Sequence, residues 1–249
     1  MYLWPQTSTM VGMPSYYGVM TRPHDGSIAR GVREGRMCAV ESEGFSVYGF
    51  TPKLYFRHLR KLYPYKDQVL FVVVPDRVGD AAETYTLWQK WALRIKRFGY
   101  PLAYCVQNGQ EDLPLPWDPP PDWLFIAGNN GWKGSKHALD CMQRGMALGM
   151  KIHVGRVNGR GRIGYWRAYG ADSMDGTSAI YHPTQARHTI DQGYNNVVLQ
   201  LTDSLVYRVA LLDLWQFRDS YELDCIVDPD GMIDLGMYLH LQYGGQTWK

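Results

Sequence analysis

The sequence predicts an α/β fold, a single (β/α)8 barrel of the TIM type. Short apolar segments alternate with segments of helical period along most of the chain, and this alternation indicates a parallel sheet. Polar clusters follow the apolar segments, as expected where a parallel sheet binds its ligand at the carboxyl ends of the strands. Seven strands are predicted before residue 176, which favours a closed barrel over an open sheet.

The seven predicted strands are apolar segments that end at glycine, proline or polar residues. They lie at residues 16–21, 37–40, 69–74, 102–106, 123–126, 151–154 and in the segment that contains Asp172 and Asp175. The segment 69–74 is a continuous apolar run rich in valine, which is typical of a strand buried on both faces. We expect the eighth strand within residues 181–249 and an irregular leading segment at residues 1–14.

Helices are predicted between the strands from the period of their apolar residues and from their end signals. Thr51 as N-cap and Pro52 at the first helical position open a helix at residues 53–62. Further helices are predicted at residues 26–36, 81–98, 135–148 and 161–169. Gly99 and Gly149 follow two of these segments as C-terminal caps.

Length and composition fit one domain over all 249 residues. We expect its core at about residues 16–192, followed by a C-terminal extension at about 193–249 with a helix at 208–217 and an acidic hairpin at 219–234. The longest apolar stretch, residues 69–75, is too short to span a bilayer, and the first residues lack the charged start of a signal peptide. These features predict a cytoplasmic protein with no membrane partner.

Charge and cysteine content narrow the classes of partner. The formal net charge is only +2, so any nucleic-acid interface must be a local basic surface. Cys38, Cys105, Cys141 and Cys225 are far apart and show none of the close spacings of zinc ligands. Three of the four lie in apolar segments, so we expect buried thiols in a reducing compartment and no metal site.

Polar side chains collect where the predicted strands end. These positions are Glu41 in ESEGF, Asp76 in VPDRVGD, Gln107 in VQNG, Gly128 in IAGNNG, Arg156 in HVGRVN, and Asp172 and Asp175 in GADSMDG. Each one alone has a structural explanation, since Asp and Gly are common turn residues and Asp76 or Asp80 would also suit a helix N-cap. Their shared position at successive strand ends favours a functional site.

The segment 151–170 contains five basic residues and no acidic one. We expect Arg156, Arg160 and Arg162 within it to contact the phosphate backbone of a nucleic acid. Residues 159–164 also match the GxGxxG pattern of a dinucleotide site, with Asp175 near the spacing of its ribose-binding carboxylate. That reading leaves the other strand-end clusters unexplained and is disfavoured, and the basic run at residues 53–66 is interpreted as the solvated face of its helix.

In their order along the chain, these clusters resemble motifs of the queuine and archaeosine tRNA-guanine transglycosylase superfamily, and especially its short, phage-type members that insert 7-deazaguanines into DNA. The ESEGF, VQNG and DSMDG segments are similar to the DSGGF, VQGG and DMFDC motifs of that superfamily. Asp76 matches its base-binding aspartate and Gly128 the glycine after its fifth strand. The resemblance covers about residues 37–178.

The resemblance implies a role for each matched residue. It implies that Asp175 is the nucleophile, that Glu41 is the general acid and base, and that Asp76, Gln107 and Gly128 bind guanine. Asp76 would accept the N1–H and N2–H of the base, while the Gln107 amide and the Gly128 N–H would donate to its O6. We also place Asp172 and His153 among the expected substrate-binding residues, although His153 lies within an apolar strand and suits a core or pocket-lining position.

The chemistry of base exchange suits these residue types. Reaction at C1′ passes through an oxocarbenium-like centre, which a carboxylate nucleophile can capture covalently. A second carboxyl group protonates the leaving purine and later accepts a proton from the incoming base. The expected partners are therefore DNA, with tRNA as the alternative, and a free 7-deazaguanine base, with no cofactor. The target base must leave the duplex stack to reach such a site.

Two departures from the superfamily matter. Its acid/base aspartate is a glutamate here, Glu41, and the zinc-binding subdomain of the tRNA enzymes has no counterpart, which favours DNA. A viral member would act in the cytoplasm of its host. Three alternatives stay open at this point, a base hydrolase, a non-catalytic nucleic-acid binding barrel and a nucleotide-dependent oxidoreductase, and the oligomeric state is undetermined.

Overall fold

A computed structural model describes residues 1–5, 13–44, 49–176 and 183–200, with the backbone alone at residues 5, 160, 183 and 193–200. The chain forms a closed barrel of eight parallel strands in sequence order. The strands are β1 Tyr2–Pro5, β2 Tyr17–Thr21, β3 Cys38–Val40, β4 Val69–Val73, β5 Leu102–Val106, β6 Trp123–Ile126, β7 Lys151–Val154 and β8 Ser173–Asp175. The predicted (β/α)8 barrel is confirmed, and the open dinucleotide-binding sheet is excluded.

The strand that completes the barrel lies at the amino end of the chain. We expected it within residues 181–249 and predicted an irregular segment at residues 1–14, and both expectations are wrong for β1. Tyr2 pairs with Tyr17 of β2 on one side and with Met174 of β8 on the other, which closes the barrel. Tyr2, Leu3 and Trp4 are all buried, so this short strand has no alternation of apolar and polar residues to reveal it.

Seven α-helices lie in the described part of the chain. They are α1 Arg30–Arg33, α2 Pro52–Leu62, α3 Ala81–Lys96, α4 Asn130–Lys133, α5 Lys136–Ala147, α6 Arg160–Ala168 and α7 Pro183–Gln200. None of the helices described is long and apolar enough to cross a membrane. The predicted helix and hairpin within residues 201–249 fall outside the described residues, as does Cys225.

The end signals of the helices are partly as predicted. Pro52 opens α2, but the Thr51 side chain accepts no capping hydrogen bond. Asp80 caps α3, because its Oδ1 accepts a hydrogen bond of 2.9 Å from the Glu83 backbone N–H. Asp76 does not cap this helix, so its carboxylate remains at the end of the strand.

Apolar side chains fill the inside of the barrel beneath the carboxyl ends of the strands. Phe71 and Trp123 supply bulk, with ring centroids 4.9 Å apart, while Ala39 and Ala103 give the room that these rings need. A second apolar layer packs between the strands and the surrounding helices. Cys38, Cys105 and Cys141 are buried free thiols, as expected. Because the interior is packed, a ligand can bind at the end of the barrel but not within it.

Candidate active site

The carboxyl ends of the eight strands meet at one end of the barrel, here called the carboxyl rim. Glu41 directly follows β3, Gln107 directly follows β5, and Asp175 is the last residue of β8. Asp76 is the third residue after β4, and Gly128 is the second residue after β6. Their charges interact, since both Asp175 and Asp76 raise the pKa of Glu41. The barrel therefore brings the main predicted site residues together.

Glu41 has the acidity of a group that can both give and take a proton near neutral pH. Burial raises its pKa to about 7, and the negative charge of Asp175 is the next largest cause. Arg22 opposes the shift, while Asp76 and Glu43 add smaller increases. A carboxyl group with such a pKa is half protonated under physiological conditions, which is the requirement for general acid and base catalysis.

Asp76 is held in place by two neighbouring side chains. Ser42 Oγ donates to its Oδ1 at 2.7 Å, and Gln107 Nε2 donates to its Oδ2 at 2.8 Å. Burial raises the pKa of Asp76, and these two hydrogen bonds oppose the shift. Gln107 in turn accepts a hydrogen bond of 3.0 Å from the Gly79 N–H. The amide that was expected to donate to a bound base thus already donates to Asp76.

Asp175 is connected to the inside of the barrel through a histidine. His153 Nε2 lies 3.0 Å from Asp175 Oδ1, and His153 Nδ1 lies 2.8 Å from Ser173 Oγ. Burial lowers the pKa of His153, so the ring is neutral and carries a single N–H. Because a carboxylate only accepts, we assign that N–H to Nε2, and Ser173 then donates to Nδ1. His153 is fully buried and orients Asp175 from below.

Asp172 does not belong to the carboxyl rim. It precedes β8 and is exposed, and its Oδ2 accepts a hydrogen bond of 2.7 Å from the Ile152 N–H near the start of β7. Three residues of extended strand separate Asp172 from Asp175, a distance of about 10 Å. We expected Asp172 and Asp175 on a short strand or just past its carboxyl end. The short strand is β8, but Asp172 immediately precedes it and only Asp175 lies at its carboxyl end.

Gly128 is required by the close approach of an aromatic ring. A Cβ atom at this position would overlap the ring of Trp132. The Gly128 N–H, which was expected to bind a base, donates to the Val106 carbonyl oxygen at 3.2 Å. Gly128 therefore shapes the rim, and its N–H is already used between β5 and β6.

The basic segment after β7 is only partly at the rim. Arg156 has a φ of 58° and donates through Nη2 to the carbonyl oxygens of Ala127, at 3.0 Å, and Gly128. Arg162 lies in the first turn of α6, and the side chain of Arg160 is outside the described residues. Lys151 starts β7 and therefore lies at the opposite end of the barrel, so the five basic residues do not form one continuous patch.

Lys133 is a rim residue that sequence reasoning missed. It ends α4 with only 7 % of its surface exposed, and its ammonium donates to the Gly155 carbonyl oxygen. Burial lowers its pKa to about 7, helped by Arg156 and opposed by Asp175. Lysine is almost never fully buried without a partner, so the sequence alone indicated a solvated side chain. A cation of variable charge thus lies near the predicted nucleophile.

The Glu43 carboxylate is paired with a histidine. Its φ of 65° lies in the left-handed region that favours glycine, and its carboxylate contacts His24 Nδ1. Within the described residues, no group of three or more His, Cys, Asp or Glu could hold a metal ion. No family model and no curated protein matches this sequence. What the rim can do is therefore argued from its own geometry and charges.

We predict that Lys133→Met removes a pH dependence from protein stability. Because the pKa of Lys133 is lowered to about 7 in the folded state, the unfolded chain binds more protons above that pH. Stability due to this residue therefore rises from about pH 7 to pH 10. Urea unfolding of both proteins across this range should show a free-energy difference that moves in favour of the wild type as pH rises.

The exposed Lys136, two residues beyond Gly134, supplies the matched control. Lys136→Met removes the same group from the same part of the chain without emptying a buried position. Its difference from the wild type should not vary with pH. A difference for Lys133→Met that is equally flat would show that the Lys133 ammonium is not desolvated.

Proposed function

We propose that the protein is a nucleic-acid guanine transglycosylase that exchanges guanine, in DNA rather than in tRNA, for a 7-deazaguanine. The observation that carries the proposal is the pair of carboxyl groups at one rim. Glu41 has a pKa raised to about 7, partly by the charge of Asp175, and Asp175 is oriented by a neutral histidine. Base exchange needs one carboxyl group to move a proton and another to attack carbon.

In the first half of the reaction, Asp175 attacks C1′ of the target nucleotide as the bond from C1′ to the guanine nitrogen breaks. Glu41, as the carboxylic acid, gives its proton to the leaving guanine. In the second half, the incoming 7-deazaguanine attacks C1′, gives its proton to the Glu41 carboxylate and displaces Asp175. The enzyme returns to its starting protonation state, so neither a cofactor nor a net proton is needed.

The surroundings of Asp175 suit a nucleophile. His153 donates to Oδ1, whereas Oδ2 accepts no hydrogen bond from the described residues and so remains available for attack. About 18 % of the side chain is exposed, which leaves it accessible from the rim. Arg156 and Lys133 both lie close enough to interact with the negative charge of Asp175.

Asp76 suits the recognition of guanine. A carboxylate that Ser42 and Gln107 hold in one orientation can accept the N1–H and N2–H of the base. The Gly128 N–H is bonded to Val106, so we assign the O6 of guanine to the second N–H of the Gln107 amide. Gln107 would then donate one amide N–H to Asp76 and the other to the O6 of guanine.

The backbone at Glu43 supports the resemblance to the transglycosylase superfamily. Glu43 stands where the DSGGF motif has its first glycine, and its φ of 65° is one that glycine adopts at little cost. The backbone conformation at Glu43 thus suits the glycine of the motif, although the side chain differs. The choice of DNA over tRNA rests on the phage-type resemblance and on the lack of closely spaced cysteines.

A base hydrolase is the second candidate, because the rim would serve it equally. Glu41, once deprotonated, has a pKa suited to activating water, and water would then release the sugar from Asp175. The two candidates differ only in what resolves the covalent intermediate. A free 7-deazaguanine competes with water in the first and is inert in the second.

We predict that the wild type forms a covalent adduct with guanine-containing DNA that survives denaturation, and that Asp175→Asn forms none. Asp172→Asn is the matched control, since it removes a carboxylate of the same motif at the other end of β8 and should keep the adduct. The adduct is detected by denaturing electrophoresis after incubation with labelled single-stranded DNA, duplex DNA or tRNA. An adduct with Asp175→Asn, or its loss with Asp172→Asn, would contradict the assignment.

Exchange itself is measured by the release of labelled guanine from the preferred polymer with and without 7-cyano-7-deazaguanine. Release that depends on the added base, with its incorporation into the polymer, is the expected result. Release without the added base would indicate the hydrolase. An adduct with tRNA but not with DNA would overturn the choice of polymer while preserving the chemistry.

A further inference from the structure

The outer wall of the barrel carries a basic groove between α2 and α3. The groove is open to solvent and has a volume of about 350 Å³. We call it the α2–α3 groove. It is lined by Lys53, Phe56, Arg60, Arg94, Arg97 and Phe98. None of these residues belongs to the carboxyl rim. The spacing of Lys53, Phe56 and Arg60 places them along one face of α2.

The charge around this groove is unusually one-sided. Residues 52–66 and 84–98 together hold nine Lys and Arg and no Asp or Glu. The whole chain has 26 basic and 24 acidic residues, so the rest of it carries a net negative charge. Within the part of the chain described, none of the four cations that line the groove forms an ion pair. Positive charge is therefore concentrated at the groove of a protein whose net charge is nearly neutral.

This arrangement does not stabilise the fold. Like charges three or four residues apart on a helix repel each other, and Lys53 with Arg57, Lys90 with Arg94, and Arg94 with Arg97 have this spacing. The isolated protein gains nothing from that repulsion, whereas a bound polyanion would remove it. Residues 53–66 are more than the solvated face of α2, because α3 adds its cations to the same groove.

Aromatic rings form the floor of the groove. Phe56 and Phe98 stack with centroids 5.6 Å apart and an interplanar angle of 11°. The guanidinium carbon of Arg94 lies 5.7 Å from the centroid of Phe56 and 4.8 Å from that of Trp91, within the range of cation–π contacts. A cationic groove with half-buried rings is the arrangement that binds the backbone and bases of nucleic acids. An anionic protein surface would need the charge but not the rings.

We infer that the α2–α3 groove is a second nucleic-acid binding surface, which holds a segment of the polymer away from the carboxyl rim. Its four lining cations contact phosphates, and the edge of the Phe56–Phe98 stack contacts a base or sugar. The inference does not depend on base exchange, because binding to the groove is measured without any reaction. It gives the protein a contact with a segment of nucleic acid that does not enter the rim.

The test compares the wild type with a double variant that carries both Arg60→Gln and Arg97→Gln. Fluorescence anisotropy with a labelled single-stranded DNA, repeated at salt concentrations from roughly 50 to 200 mM, gives the slope of log K against log salt. Loss of two phosphate contacts should make that slope shallower by about 1.4 units on single-stranded DNA. The free energy of unfolding should not fall, because the substitutions relieve repulsion, and this measurement shows that a loss of binding is not a loss of fold.

Arg33→Gln combined with Lys151→Gln is the matched control. Both residues are exposed and lie outside the groove, and the two substitutions remove the same amount of charge. It should leave the slope within about half a unit of the wild type. Equal effects of the two double variants would show that only net charge matters and would overturn the inference. So would an unchanged slope for the groove variant, or a groove variant that loses binding to phosphatidylserine vesicles but keeps its affinity for DNA.

Discussion

Closure of a parallel barrel forces carboxylates from distant parts of the sequence to share one partly buried rim. Glu41, Asp76 and Asp175 lie at or just beyond the carboxyl ends of three different strands, and parallel pairing brings all these ends to one side of the barrel. Desolvation and mutual repulsion then make full ionisation costly, and Glu41 retains a proton to about pH 7. The proton that the proposed base exchange needs is thus a consequence of the topology.

The rim depends on the layer beneath it. His153 lies inside the barrel, with its ring centroid 5.0 Å from that of Phe71 and 4.4 Å from that of Phe125. A polar ring in such surroundings is costly unless both nitrogens are bonded, and Ser173 and Asp175 bond them. Because residues two apart on β8 point to the same side, one short strand supplies both partners. The same contacts therefore pack the interior of the barrel and orient Asp175.

Sequence reasoning succeeded where the pattern is local and failed where tertiary contacts decide. The apolar run at β4 and the order of strands and helices were enough to predict the barrel. The strand Tyr2–Pro5 has no local sequence signal, because its burial comes from pairing with β2 on one side and β8 on the other. Spacing alone could not show that Asp172 and Asp175 lie at opposite ends of β8, nor that the fold buries Lys133.

The central claim is that burial, together with the charge of Asp175, keeps Glu41 protonated near neutral pH. Titration of 13C-labelled glutamate carboxyl groups by NMR, in the wild type and in Asp175→Asn, measures this directly, with Glu41→Gln assigning the signal. We expect Glu41 to titrate at about pH 7 in the wild type and at a lower pH in Asp175→Asn, where one of the causes of the shift is removed. An ordinary glutamate pKa of about 4.3 in the wild type, or a pKa that Asp175→Asn leaves unchanged, would contradict the account.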